Sequence, residues 1–498
     1  MGDNGGVEAE QEQPARITLE WRGRDLALIP PVALWPLADD ALYAALFGPA
    51  EAQGAQAIFA RDRRGRCLRA RPMDFSRIKA ALLAHSAYPF AVAFDECPML
   101  PWQPQPALEP RPYQQDALTA WRAEGCRGVV VLPTGAGKTL VGALAIAEVA
   151  QWTLVVVPTI DLLAQWSRAL AEALLPGGGV SAETGGVYTV DDLIGVYGGG
   201  AHEIRPITIT TYESAQLHPE LLRRYGLLIF DECHHLPAPT YRQIAEGAFT
   251  PLRLGLSATP ERADQEHLAL NALIGPEVYR RQPEELAAAQ YLAAYDEERL
   301  NVALDPDARQ RYETARAIYS DFIRRRRLTI ASPADFQRKI LWASARDSEA
   351  REAMLAWREF RALALNAPAK LTLLEELFAR HRDERVLVFS EYNQLVGEVS
   401  RRFCIPQITY KTPAEERRLI LEGFRVGRFS KLATGRVLNE GVDIPDCSVA
   451  IIVSGNATRR EYIQRLGRVL RPKQRRAILY ELVTEDTTEE RIVERRRE

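Results

Sequence analysis

The 498-residue chain lacks paired cysteines, a long apolar run and a dominant charge sign. Its six cysteines (Cys67, Cys97, Cys126, Cys233, Cys404 and Cys447) are scattered, with no C-x-x-C pair. That argues against a zinc site and against a disulfide framework, and it fits a reducing cytosol. No stretch approaches the ~18 consecutive apolar residues of a membrane-spanning helix, and the N-terminus shows no basic-then-apolar signal pattern. The expected location is therefore cytoplasmic. Lys and Arg number 63 against 66 Asp and Glu, a net charge of -3. The chain is not basic overall, which leaves only a local groove for any polyanion. No repeat of solenoid period is present. What remains is an ordinary soluble composition, 47% apolar and 26% charged, long enough for two to four domains.

Residues 1–14 are rich in Gly, Glu and Gln and are expected to be disordered. A small mixed domain follows over 15–97, with short strands at Ile17–Trp21 and Leu26–Ile29 and a helix over Phe75–His85. Pro98, Pro101, Pro104, Pro106 and Pro110 make 98–110 an extended linker, because proline fixes φ and removes a donor. From 111 to 285 apolar runs alternate with helical stretches: Gly128–Leu132, Thr153–Val157, Ile207–Thr210 and Leu227–Phe230. Buried strands between helices predict an α/β lobe with a parallel sheet wound on both faces. A second lobe covers 286–498, its strands including Val386–Phe389 and Val449–Val453. Tyr312, Ala315, Tyr319 and Phe322 at helical spacing predict a helical insertion over 305–365 within it.

The first lobe holds a phosphate loop, Thr134-Gly135-Ala136-Gly137-Lys138-Thr139, between a strand and a helix. Its glycines let backbone N–H groups approach phosphate oxygens, and the helix N-terminus adds partial positive charge. Lys138 would reach the β- and γ-phosphates of ATP, and Thr139 would ligate Mg²⁺. The full G-x-x-x-x-G-K-T pattern fails at its first position, where Leu132 stands. The strand Leu228-Ile229-Phe230 then delivers Asp231 and Glu232 to its carboxyl end, where such sheets bind ligands. Asp231 is the expected Mg²⁺ residue, Glu232 the base for the attacking water, and His234 a link from that site to its neighbours. Cys233 reads as a strand-end filler and His235 as a loop histidine. Late in the chain, Arg465, Arg468 and Arg471 share one face of a predicted helix. With Gln464 they would supply the trans-acting cation of a two-lobed motor.

In this order the motifs resemble superfamily 2 helicases. The resemblance assigns Arg111 and Gln114 to the adenine base, Pro158, Thr159 and Thr211 to the gripped strand, and Ser257 and Thr259 to coupling between hydrolysis and movement. It adds Gly441 and Asp443 of Asn439–Pro445 to the nucleotide site, and Arg262, Asp264, Ser390 and Glu391 to DNA contact or coupling. Ser332-Pro333-Ala334-Asp335-Phe336, Ile405–Thr412, Glu461–Arg468 and Tyr480–Thr484 narrow the likeness to XPB, in its archaeal and bacterial forms, over about 105–485. This implies an N-terminal damage-recognition domain, two RecA-like lobes, a thumb-like insertion, and ATP-driven 3′→5′ DNA unwinding or translocation in repair. It also implies a nucleoid-associated protein whose partners are DNA and a structure-specific nuclease; RNA fits the XPB-like insertion poorly.

The likeness departs at Glu261-Arg262-Ala263-Asp264, where XPB proteins carry an Arg-Glu-Asp trio. The missing central acid bears on strand separation more than on hydrolysis. It favours the alternative of a duplex translocase that does not unwind. A further alternative is a DNA-structure-binding scaffold gated by ATP. The basic run Arg324–Arg327 has two readings, phosphate contacts from the insertion or a solvated helix end. Arg495–Arg497 reads as a charged tail.

Overall fold

The computed structural model describes residues 16–48, 52–94, 97–181, 187–262, 264–289, 291, 295–330, 333–435, 447–454 and 477–497. The segment 1–14 expected to be disordered lies outside them. Two compact units divide the chain at Arg280–Arg281, apart from the short stretch Leu132–Ala136.

The first unit carries two main sheets. The smaller contains β1 (Ile17–Arg22), β2 (Asp25–Ile29), β3 (Ala60–Asp62), β4 (Cys67–Ala70) and β5 (Phe90–Val92), in the order β3-β4-β2-β1-β5. Ile17 and Leu19 are buried while Thr18 and Glu20 are half-buried, the period of two that covers one face. Leu42 and Leu46 of the helix Asp39–Phe47, and Ile78 and Leu82 of the helix Phe75–His85, close over that face. One ring in this core comes from far along the chain. Phe249 lies 5.5 Å from Phe94 and 5.7 Å from Phe75, centroid to centroid. Beside it, Arg223 sits 4.8 Å over the Trp21 ring and donates to the Gly23 carbonyl.

The proline-rich stretch forms neither helix nor regular strand, but it is pinned along its length. Leu100 N–H donates to the Ala150 carbonyl and Ala107 N–H to the Ala173 carbonyl, each at 2.8 Å. It is extended without being a free spacer.

The larger sheet is built from β6 (Arg127–Val131), β7 (Thr153–Val157), then, beyond a separate two-stranded ribbon of β8 (Gly179–Ser181) and β9 (Val187–Thr189), from β10 (Ile194–Gly198), β11 (Ala201–His202), β12 (Ile207–Thr211), β13 (Leu227–Asp231), β14 (Leu252–Ser257) and β15 (Glu277–Arg280). Its order is β11-β10-β12-β7-β13-β14-β6-β15. Only the edge pair β10-β11 is antiparallel. Val129–Val131, Leu154–Val157 and Leu227–Phe230 are buried, as continuous apolar strands between two helical layers must be. Ser257 pairs with Val131, and Asp231 with Leu256, so the carboxyl ends of β6, β14 and β13 lie level.

β14 also carries a wholly buried arginine. Arg253 donates to the carbonyls of Thr250 (3.1 Å), Ala245 and Ala248 (both 2.9 Å) and Leu273. Its own carbonyl accepts from Trp121 Nε1 at 2.9 Å. Burial pulls the guanidinium down to about 9, so it stays protonated at neutral pH. Among the described residues no acid lies at hydrogen-bond range of it, and four carbonyl dipoles stabilise the charge.

The second unit holds a sheet of β16 (Tyr295–Val302), β17 (Val386–Ser390), β18 (Gln407–Ile408), β19 (Lys431–Thr434), β20 (Val449–Ser454) and β21 (Ala477–Thr484), in the order β16-β21-β20-β17-β19-β18 and parallel throughout. The first strand, β16, lies within the 286–498 read for this lobe but ahead of the helical stretch. As an edge strand reading Asp-Glu-Glu-Arg in its first half, β16 has no continuous apolar run to announce it. The helices Pro306–Arg325 and Ser348–Leu365 occupy the stretch read as an insertion. They pack through Tyr312, Ala315, Ala356 and Phe360. Asp305 and Asp347 cap them, accepting from Ala308 N at 2.8 Å and Glu349 N at 2.9 Å. Lys370, fully buried, joins Glu489 at 2.7 Å and the Val453 carbonyl at 2.8 Å, tying two helices to the end of β20.

Candidate functional site

Gly135 and Gly137 stand at φ +84 and +75, in the left-handed region open to glycine. A Cβ on Gly137 would come within 2.5 Å of Gln114 Nε2, so a side chain there would have to displace that amide and would be strained by its φ as well. Gln114 bridges two elements: its Oε1 accepts from Arg111 N at 2.9 Å, and its Nε2 donates to the Gly137 carbonyl at 3.3 Å. The Thr134 hydroxyl is buried with no partner among the described residues. The helix Lys138–Val149 begins immediately after the loop, with Thr139 half-buried in its first turn. Two left-handed glycines, an orphaned hydroxyl and a helix N-terminus form a cradle suited to a nucleotide's phosphates.

Opposite Lys138 lie the acids at the end of β13. Lys138 Nζ is 3.5 Å from Glu232 Oε1, with both side chains about one-tenth exposed. Glu232 itself is strained, at φ +45 and ψ +55. That turn lets its N–H donate to Asp231 Oδ1 at 3.0 Å and carries its side chain back toward Lys138. His234 Nδ1 lies 3.2 Å from Ser257 Oγ and 3.5 Å from Glu232 Oε2. Ser257 Oγ is 3.4 Å from the same oxygen and accepts from Thr259 N at 3.1 Å. Arg262 then donates to the His234 carbonyl at 3.0 Å while its other nitrogens hold Asp264 at 3.0 and 2.6 Å. The Arg262 guanidinium keeps the Asp264 carboxyl well below its usual range. Ala263 lies outside the described residues, so the pair on either side of it is what the structure shows.

Asp231 is buried, and its carboxyl is pushed up to about 6, first by burial and then by the neighbouring charge of Glu232; Lys138 opposes the shift. The folded carboxyl holds its proton to about pH 6, the unfolded one only to about pH 4. Its contribution to stability is therefore full below pH 4 and is lost as pH rises through 6. Without nucleotide or Mg²⁺, Asp231→Asn should escape that loss. Its stability relative to the parent should rise between pH 4 and 7, by up to ~3 kcal/mol. Urea unfolding at the two pH values checks this; a relative stability that does not rise with pH would contradict it.

The remaining sequence-predicted residues are spread. Pro158 and Thr159 follow β7, and Thr211 ends β12; both threonines sit at helix N-termini, the helices Ile160–Leu174 and Tyr212–Leu217. Thr211 Oγ1 accepts from Ser214 N at 3.1 Å, whereas the buried Thr159 and Thr259 hydroxyls have no partner among the described residues. In the second unit Ser390 is buried, bonded to Ser454 Oγ at 2.9 Å and accepting from Tyr392 N at 3.1 Å, and Glu391 follows it. Ser390 is thus an internal tie between strand ends. Gly441, Asp443, Gln464, Arg468 and Arg471 lie outside the described residues. The basic run resolves toward a solvated helix end: Arg324 pairs with Asp321, Arg325 with Glu349, and Arg326 with Asp347 and Glu349.

One site residue was missed. Trp166 Nε1 donates to Asp231 Oδ2 at 2.8 Å, fully buried. On the sequence it shares the apolar face of its helix with Leu162, Leu163 and Leu170, and nothing there separates it from ordinary core.

Comparison with known proteins agrees along the chain. Residues 107–262 match the family described as "Type III restriction enzyme, res subunit", and residues 350–498 match "ERCC3/RAD25/XPB C-terminal helicase". The chain is 41% identical to the DNA 3'-5' translocase XPB2 of Sulfurisphaera tokodaii, over 78% of this chain and 85% of that protein. It is 32% identical to the DNA 3'-5' helicase XPB of Mycobacterium tuberculosis, over 76% of this chain but 61% of the relative. The Pyrococcus furiosus Hef helicase domain shares the fold, with a TM-score of 0.52, at 17% identity and over 78% of this chain and 98% of that one. Two parallel α/β sheets, a phosphate loop facing paired acids, and this relationship across most of the archaeal protein place the chain in the XPB family.

Proposed function

We propose that the chain is an ATP-driven 3′→5′ DNA motor, hydrolysing ATP with Mg²⁺ to move along and open DNA in repair. The observation that carries this reading is the approach of Lys138 to Glu232, 3.5 Å apart behind a loop of left-handed glycines. Lys138 and the loop N–H groups would hold the phosphates, and Gln114 the base. Thr139 and Asp231 would hold Mg²⁺, which supplies positive charge to the phosphate oxygens. Glu232 would take the proton of the attacking water, its position fixed by the left-handed backbone and by His234 and Ser257. Arg468 and Arg471 keep the role read from the sequence, cations acting on the same nucleotide, with Gln464 of the same motif. Phosphate contacts at Thr159 and Thr211 would make DNA binding sequence-independent and salt-sensitive.

Steady-state ATP turnover with single-stranded DNA, duplex DNA, RNA or no nucleic acid tests the proposal, with Lys138→Ala as baseline. DNA should stimulate turnover at least tenfold more than RNA, and the variant should show none. Equal stimulation by RNA, or turnover by the variant, would overturn the reading. The absent acid at position 263 and the translocase name of the archaeal relative favour a second form of it, movement along duplex DNA without strand separation. Triplex displacement without fork unwinding would select that form.

A further inference from the structure

Asp231 is gripped from two directions by the helices that follow the expected strand-contacting loops. Thr159 stands at the N-cap position of the helix Ile160–Leu174, its hydroxyl making no bond there, and the second turn of that helix carries Trp166. The Trp166 indole reaches across to Asp231 Oδ2 at 2.8 Å. Its far edge lies against the phosphate-loop helix so closely that a Cβ on Gly142 would stand 2.7 Å from the ring. Thr211 caps the helix Tyr212–Leu217, and Tyr212, its first residue, donates its hydroxyl to the Asp231 carbonyl at 3.0 Å. Both side chains are almost wholly buried, Trp166 at 1% and Tyr212 at 2% exposure. Trp166 thus donates to one oxygen of the Asp231 carboxylate, whose other oxygen takes the Glu232 N–H.

A core position asks only that an aromatic ring fill space. These two also spend their polar atoms on one residue, one on its side chain and one on its backbone. A shift of either helix would have to move Asp231 or break a buried hydrogen bond, and an indole N–H bond to a carboxylate in an apolar setting is strong. Resting on the functional reading above, we propose that Trp166 and Tyr212 are positioning residues that carry the DNA-bound state of the loops at Thr159 and Thr211 to Asp231, so that engaged DNA sets the acid for turnover. The stimulation of hydrolysis by DNA would then pass through these two bonds.

Trp166→Phe and Tyr212→Phe remove the donors and keep the rings. Each variant is compared with the parent for DNA-free turnover, DNA-stimulated kcat, KM for ATP, affinity for labelled DNA by anisotropy, and thermal midpoint. The expected result for Trp166→Phe is a fall of about tenfold or more in the ratio of DNA-stimulated to DNA-free turnover, with DNA affinity and midpoint within about twofold or a few degrees of the parent. Tyr212→Phe should move the same quantity in the same direction by less. Full stimulation in both variants overturns the proposal. So does a proportionate fall of DNA-free and stimulated rates, which would mean that the donors only hold Asp231 in place. A parent enzyme indifferent to DNA overturns the functional reading, and this inference with it.

Discussion

Replacing Glu232 by Gln is expected to cut ATP turnover about 10²- to 10⁴-fold while nucleotide and DNA affinities stay within a few-fold of the parent. The substitution keeps the shape and removes the proton acceptor. It also removes negative charge beside the phosphate cradle, so ATP should bind as tightly as before or more so. The two functions share Lys138, which faces Glu232, but the base is also held by His234 and Ser257, and the nucleotide also meets the loop glycines and Gln114. Fluorescent-nucleotide titration beside steady-state kinetics decides the matter. Turnover above about a tenth of the parent's, or a parallel collapse of binding, would remove Glu232 from the role of base.

The second large effect concerns stability. Arg253→Leu should lower unfolding free energy by about 3 kcal/mol, read as a shift in the denaturant midpoint. Leucine leaves the carbonyls of Ala245, Ala248, Thr250 and Leu273 without this donor in the interior. Each carbonyl left with no donor costs on the order of 1–3 kcal/mol, whereas that of Ala245 keeps the Ala248 N–H at 3.4 Å. Against that stands relief from burying a cation, which is why the expected loss is well below the sum. An unchanged midpoint would show that the carbonyls find other donors or water.

These residues also mark where the sequence is legible. The phosphate loop and the Asp231–Glu232 pair announce themselves because each follows an unbroken apolar strand and uses residue types the chemistry requires. The ordering of the sheet brings those strands' ends level, and strand order is not written in local pattern. Arg253 sits in the strand Leu-Arg-Leu-Gly-Leu-Ser, where alternation suggests a solvent-facing side chain; four carbonyls from other segments make burial tolerable instead. Trp166 is hidden for the opposite reason, since an indole on an apolar helix face looks the same whether or not its N–H meets a carboxylate. β16 is hidden because an edge strand need not be apolar. The run Arg324–Arg327 reads on the sequence as phosphate contacts or as a solvated helix end alike, because two of the acids beside Arg324–Arg326, Asp347 and Glu349, stand on or at the head of a later helix.

Phe249 has a consequence for how this chain can be dissected. The ring belongs by sequence to the motor sheet's own segment, yet it is buried among Trp21, Phe75 and Phe94 of the small sheet. A cut through the proline stretch would strip an aromatic surface of the kind that buries ~150–250 Å². It would also release the backbone pinned at Leu100 and Ala107. The two sheets therefore behave as one solubility unit, and the natural scissor line falls after Arg280 rather than before Arg111.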